Sequence, residues 1–231
     1  MLIVLVWREG KAVSSSAQLD DVFSKTVVRV ALRREVLMSY DNITVKKMNG
    51  LSLPTEVGQL RYEQFIAEQN KPYLNADHNR KILFDSVDPL STHIVCESKE
   101  NGILSALRIT PIEAAVELDY FDNVFSRIDR IEEYSIVLSR LVRGSGLISA
   151  KSIIILFKYS YDYCVERGWQ FGLINTSPKL ESLFIKYGWK RVGDIYIDEY
   201  AGEQVPMCLD STDTKHLKSI NSPYLKQGVV T

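Results

Sequence analysis

The chain carries no surplus of basic charge: 28 Lys and Arg face 29 Asp and Glu, a net charge of −1. Nucleic-acid-binding domains show a strong basic footprint, and nothing here points to that class. Cysteine is scarce. Cys96, Cys164 and Cys208 are odd in number, widely spaced, and each sits in an apolar run. They read as buried thiols in a reducing compartment, not as disulfides or a zinc site. Histidine is scarcer still in any useful pattern. His78 and His93 are too isolated to argue a metal, His216 reads as a surface residue, and no metal is expected. Long hydrophobic runs are missing too. The opening MLIVLVWREG has six apolar residues after the Met, short for a signal-peptide core and without a basic start. No stretch approaches the ~18 apolar residues of a membrane span. The expectation is a cytoplasmic protein without integral membrane contact or nucleic-acid partner.

What remains is ordinary folding material. Hydrophobic residues make up 45% and charged residues 25%, so the chain can bury a core. Its 231 residues suffice for one sizeable domain with an added segment. Residues 1–42 read as that N-terminal addition, with a Ser-rich link at 14–16 and a helix over Leu19–Ser39. Residues 43–231 read as the main domain. ITVKKM is a short strand. Pro54 and Thr55 start a helix reaching about Asn70. THIVCES and ILSALRIT are strands about the turn KENG. IEAAVELDYFDNVFSRI is helical, and YSIVLSRLV is a third central strand. RGSG opens a long helix stopped by Gly168. QFGLINT is a strand, and PKLESLFIKY is a helix between Ser177 and Gly188. WKRVGDIYID and EQVPMCLD close the domain as two strands. This is an α/β order, a mixed central sheet with helices on both faces.

Three arginines fall on apolar faces. Arg61 lies four residues from Val57 and four from Phe65, one helical stripe. Strand alternation lines Arg108 up with Leu104 and Ala106, and Arg140 with Tyr134, Ile136, Leu138 and Val142. Desolvating a guanidinium is costly, so buried arginines need partners. Asp85 and Asp88 can supply them, and before Pro89 they can equally form a turn. The Gly-rich turn Arg143-Gly144-Ser145-Gly146 precedes the long helix, and exposed N–H groups with a positive helix end favour phosphate there. Lys151, Lys158, Lys186, Lys190 and Arg191 could dock an acidic partner, or form an ordinary solvated face.

The segments LRYEQF, FDSVD, ALRITP and LSRLV, in that order, resemble the signature of acyl-homoserine-lactone synthases. ADHNRKILFDSVD, NTSPKLESLFIKYGWKRVGD and the tail QVPMCLDSTDTKHLKSINSPYL are similar to the related long-chain N-acyl amino acid synthases. The resemblance covers about 43–225 and implies the GCN5-related N-acetyltransferase (GNAT) fold. Matched to the family, Arg61, Phe65, Asp85, Asp88, Arg108, Ser139 and Arg140 fall on its charged cluster at the acceptor and thioester end of the cleft.

The activity implied is transfer of a fatty acyl group from an acyl carrier protein, or coenzyme A, to an amine, most simply that of an amino acid. The donor is an acyl-phosphopantetheine thioester, used as co-substrate. In this fold the central strand parts from its neighbour, so a backbone N–H near Leu141, Val142 and Arg143 meets the thioester carbonyl. The 143–146 loop then takes the donor's phosphate. The base could be Glu132, Glu133, Asp85 or a relayed water. Two departures point away from lactone formation. The lactone synthases carry a Glu where this chain has Val137, and a Trp in the region of Gln69–Tyr73. Val137 motivates an alternative, a catalytically silent acyl-donor-binding sensor. A short-chain acetyltransferase is the other.

Overall fold

The computed structural model describes residues 35–40, 42–116 and 135–225. The chain divides between Arg33 and Arg34, and the first unit lies outside the described residues. Strand β1 (Glu35–Tyr40) pairs antiparallel with β2 (Ile43–Asn49), Tyr40 opposite Ile43. Asn42 carries the reversal at φ 68, and Asn is among the residues that best tolerate that region. The expected helix over Leu19–Ser39 therefore does not hold at its end: residues 35–39 are strand, and the rest lies outside the described residues. The apolar run Val36-Leu37-Met38 suits either state, and the edge of β2 decides it.

Helix α1 (Thr55–Arg61) continues through a π-wound stretch, Tyr62–Glu68. Then come β3 (Thr92–Ser98), β4 (Gly102–Pro111), α2 (Ile112–Val116) and β5 (Ser135–Arg143). Only the start of the helix expected over IEAAVELDYFDNVFSRI is among the described residues. Helix α3 (Gly146–Glu166), β6 (Phe171–Thr176) and α4 (Pro178–Tyr187) follow as expected. The single strand expected over WKRVGDIYID is instead two short ones, β7 (Lys190–Arg191) and β8 (Tyr196–Asp198), interrupted by the turn-forming Gly193-Asp194. Both pair with β9 (Gly202–Asp210). A short helix α5 (Thr214–Ser219), capped by the Asp213 carboxylate at the His216 N–H (3.0 Å), follows β9. Gly188 ends α4 at φ 112, and a Cβ there would lie 2.3 Å from Leu217. The helix stop and the α5 packing both require glycine.

The sheet runs β1-β2-β3-β4-β5-β6-β9-β7. Among the described strands every neighbouring pair is antiparallel except β5–β6. Ile155, Leu156 and Phe157 of α3 pack with Leu107, Ile109, Ile136 and Leu138 on one face. Val57 of α1 and Phe65 of its π-wound continuation pack with Val95, Ala106 and Val142 on the other.

Two features of β5 position the site. It pairs with β6 only over Ser135–Val137, so its second half is joined to β4 alone and a gap opens toward β6. It also bulges: Ala106 faces Val142 and Arg108 faces Ser139, leaving Arg140 and Leu141 opposite Leu107. Arg140 has φ 54, a strained conformation for a non-glycine residue, on the order of 1–3 kcal/mol. The bulge overturns the expected alternation. Ile136 and Leu138 join the α3-side core, whereas Arg140 and Val142 turn to the α1 side.

Candidate functional site

The three arginines and two aspartates form one buried network. Arg61 and Arg108 are 0% exposed and Arg140 only 6%. Arg61 Nη1 donates to both oxygens of Asp88, at 2.9 and 2.8 Å. Its Nη2 lies 3.3 Å from His93 Nδ1. Arg108 Nη1 donates to Asp85 Oδ1 and, at 3.2 Å, to Asp88 Oδ1, while its Nε donates to Ser139 Oγ at 2.9 Å. Arg140 donates through Nε and Nη2 to Asp85 Oδ2, at 3.0 and 2.7 Å. The aspartates also build the turn that holds them. The Asp85 N–H donates to Asp88 Oδ2 and the Val87 N–H to Asp85 Oδ1. Both readings of the acidic pair, turn former and network member, are true at once.

Charge follows from this geometry. Burial would push the Asp85 carboxyl up, but Arg108 and Arg140 outweigh it and hold it well below the usual carboxylate range. Asp85 is thus a fixed anion, poorly suited to act as a general base. Burial lowers Arg61 to about 10 despite Asp88, and the guanidinium remains charged. Burial, reinforced by Arg61, lowers His93 to about 3, so its ring is neutral. Three guanidinium groups against two carboxylates leave these five residues one positive charge in excess. Arg61 Nε and Arg108 Nη2 are buried without a hydrogen-bond partner among the described residues.

Aromatic rings wall the network. The Arg140 guanidinium lies 4.5 Å from the Tyr73 ring centre and 5.8 Å from that of Phe65. Tyr73 stacks on Tyr200 at 6.1 Å. Gly50 closes the rear, since a Cβ there would meet the Asp88 carbonyl oxygen at 1.5 Å. Sequence reasoning missed four contributors: His93, Gly50, Tyr73 and Gln64. For His93 a signal existed. It has the same strand phase as the buried Val95 and pairs directly with Arg108.

The remaining candidates separate by position. Glu132 and Glu133 lie outside the described residues. Leu141 packs on the α3-side core and Val142 on the α1-side core. The Gly144 N–H donates to Leu104 O at 2.8 Å, so the preceding Arg143 N–H points away from β4. It donates to the Gln64 side-chain oxygen at 3.1 Å, and the Gln64 amide returns a bond to Arg143 O at 3.4 Å. The amide expected to be free is thus held by a side chain rather than by a strand. Ser145 caps α3 without a side-chain hydrogen bond, and Gly146 follows at φ 86. This turn borders a polar cleft of about 250 Å³ that Glu63, Gln64 and Ser149 also line. Of the basic residues considered for docking, Lys158, Lys190 and Arg191 are occupied by Asp162, Asp213 and Glu181. Cys96 and Cys164 are buried and Cys208 half-buried, all as free thiols.

The fold can now be placed. No family model matches the sequence, and no curated protein sequence matches it. Solved structures do. The acyl-homoserine lactone synthase LasI superposes with a TM-score of 0.61 at 11% identity, over 84% of this chain and 100% of that one. TofI, in a ternary complex with an inhibitor and MTA, gives 0.59 at 18% identity, over 80% and 97%. BjaI, a CoA-dependent acyl-homoserine lactone synthase with SAM and isopentyl-CoA, gives 0.58 at 12% identity, over 78% and 90%. The chain has the GNAT fold in the form that these acyl-homoserine lactone synthases take. Among the described residues no helix is long and apolar enough to cross a membrane.

Proposed function

We propose that the protein is an N-acyltransferase that moves a fatty acyl group from an acyl carrier protein, or coenzyme A, to an amine, most simply that of an amino acid. The observation that carries this reading is the opened β5 edge. A buried cationic network stands on one face of that edge and an apolar crevice on the other. A thioester carbonyl seated in the gap would have its acyl tail on the apolar side and the incoming amine on the arginine side. Attack joins the amine nitrogen to the carbonyl carbon and expels the thiolate, and the amine's proton must leave. An N–H on the free edge would stabilise the oxyanion. At Arg143 the exchange of Gln64 for the substrate would supply it. The excess positive charge suits an acceptor carboxylate, which guanidinium binds as a fork. The donor's phosphate would sit on the 143–146 turn, at the uncapped end of α3. Coenzyme A soaked into crystals should place a phosphate there; phosphate density elsewhere with this turn empty would contradict that part of the reading. The donor pool would be cytoplasmic.

Val137 favours one second reading. It is 2% exposed and packed among Val87, Ile112, Ala115 and Leu173. An apolar side chain in place of the lactone synthases' carboxylate supports either a different acceptor or a silent donor-binding protein. Thiol release separates them. With acyl-carrier-protein and coenzyme A donors of several chain lengths, free thiol should appear only when an amino acid is added. Tight donor binding without acceptor-dependent thiol at any length would favour the silent protein. Acetyl donors performing as well as long ones would favour an acetyltransferase.

A further inference from the structure

We infer that Tyr224, carried on the turn Pro223–Leu225 after α5, is the end wall of the acyl-chain site and limits the length of chain accepted. The inference rests on the N-acyltransferase reading above and names a residue that this reading does not require.

An apolar crevice of about 30 Å³ starts at Leu138 and Leu141, on the free half of β5, and Ile174 of β6. Trp189 and Tyr224 line it too, and they lie away from the gap: Trp189 packs on Gly172, which pairs with Ile136 in the closed half of β5, and bonds to Tyr224. Because of the bulge, Leu138 and Leu141 both face the α3 side, away from the arginine network, and bring the crevice to the free half of β5. Its walls are almost wholly hydrocarbon and aromatic, which suits an alkyl chain and no charged ligand. The volume is room for only about two water molecules, so the space for a longer chain depends on what closes the far side.

That closure is made after the sheet is complete. The Tyr224 ring stacks on Tyr161 at 4.4 Å, and its hydroxyl accepts from Trp189 Nε1 at 3.2 Å. It also meets the Tyr187 ring edge-on at 4.9 Å. Ser222 pins the turn, its hydroxyl donating to Tyr187 O at 2.7 Å and its N–H to Leu217 O at 2.9 Å. None of these bonds belongs to a strand ladder or a long helix. The end wall can therefore be altered without disturbing the strands that hold the thioester. A second position works in the other direction. Gly172 of β6 lines the same crevice, and a Cβ there would lie 3.1 Å from the Trp189 ring.

The test is a chain-length profile with saturated acyl donors from two to sixteen carbons, on wild type, Tyr224→Ala, Tyr224→Leu and Gly172→Ala. Tyr224→Ala should shift the preferred length upward by at least two carbons and raise kcat/KM for the longest donors about tenfold. Tyr224→Leu should give a smaller shift of the same sign, and Gly172→Ala a downward shift. Should Tyr224→Ala fail to fold, the opposed shifts of Tyr224→Leu and Gly172→Ala still decide. Active wild type with an unchanged profile in the folded variants overturns this inference alone. Wild type inactive with every donor and acceptor overturns the functional reading on which it rests.

Discussion

Arg61→Ala and Arg140→Ala should each lower acyl transfer at least ~100-fold, the scale expected when reacting groups are misplaced by about an ångström. The loss follows from what each side chain holds. Arg61 fixes Asp88 through both carboxylate oxygens, and Arg140 fixes Asp85. Removing either guanidinium leaves a buried anion with a missing partner, which costs about 3–5 kcal/mol of stability. Arg61→Ala should be the more damaging to the fold, because Asp88 is 3% exposed and also caps the turn at Asp85. Arg61→Lys and Arg140→Lys should fold better yet remain impaired, since one ammonium nitrogen cannot replace two guanidinium nitrogens, which in Arg61 reach Asp88 and His93 and in Arg140 both reach Asp85 Oδ2. Thermal unfolding and thiol release on the same preparations check both halves. Unchanged turnover in folded Arg61→Ala and Arg140→Ala enzymes would contradict the role given to the network.

The second large effect concerns acid. His93 is held neutral in the folded protein down to about 3, whereas an unfolded histidine titrates near 6.5. Between those values the unfolded chain binds one proton more than the folded one, so stability falls as pH falls. At about 1.4 kcal/mol per unit, the window from 6.5 to 3 removes roughly 3–5 kcal/mol. Asp85 adds to the loss at still lower pH. Its depressed folded pKa gives stability that is present above the ordinary carboxylate range and lost below it. His93→Gln keeps an acceptor for Arg61 but does not titrate. Its unfolding free energy should change much less between pH 6.5 and 4 than that of wild type. Parallel pH profiles in the two proteins would show that His93 is not the buried neutral group described.

Periodicity carried the sequence reading far, and its failures have local causes. Val57, Arg61 and Phe65 share a helical stripe and are all buried, as their spacing requires. The acidic pair was legible from Pro89, from the strand that follows it and from the family resemblance. Arg140 was legible as a buried arginine but not in its direction, because a one-residue bulge reverses the phase of β5 after Ser139. Nothing in LSRLV announces that bulge. Residues 35–39 were misassigned because their apolar spacing fits a helix, and only pairing with β2 selects the strand. Gly50 was invisible, since its requirement comes from a backbone atom 38 positions further on, the Asp88 carbonyl. Tyr224 falls within the family-like tail, yet its place in the lining of an apolar crevice depends on α5 and Ser222, which strand and helix patterns do not reach.

The central claim, that the opened β5 edge with its arginine network joins a fatty acyl group to an amine, is tested most directly by small-molecule mass spectrometry. Cells expressing wild type should accumulate N-acylated amines whose masses equal a fatty acyl chain plus an amine, linked as amides on fragmentation. These products should be strongly reduced in cells expressing folded Arg140→Lys at equal level. The account is contradicted if wild type yields no N-acyl product beyond the empty-vector background, or if Arg140→Lys yields the same products in the same amounts.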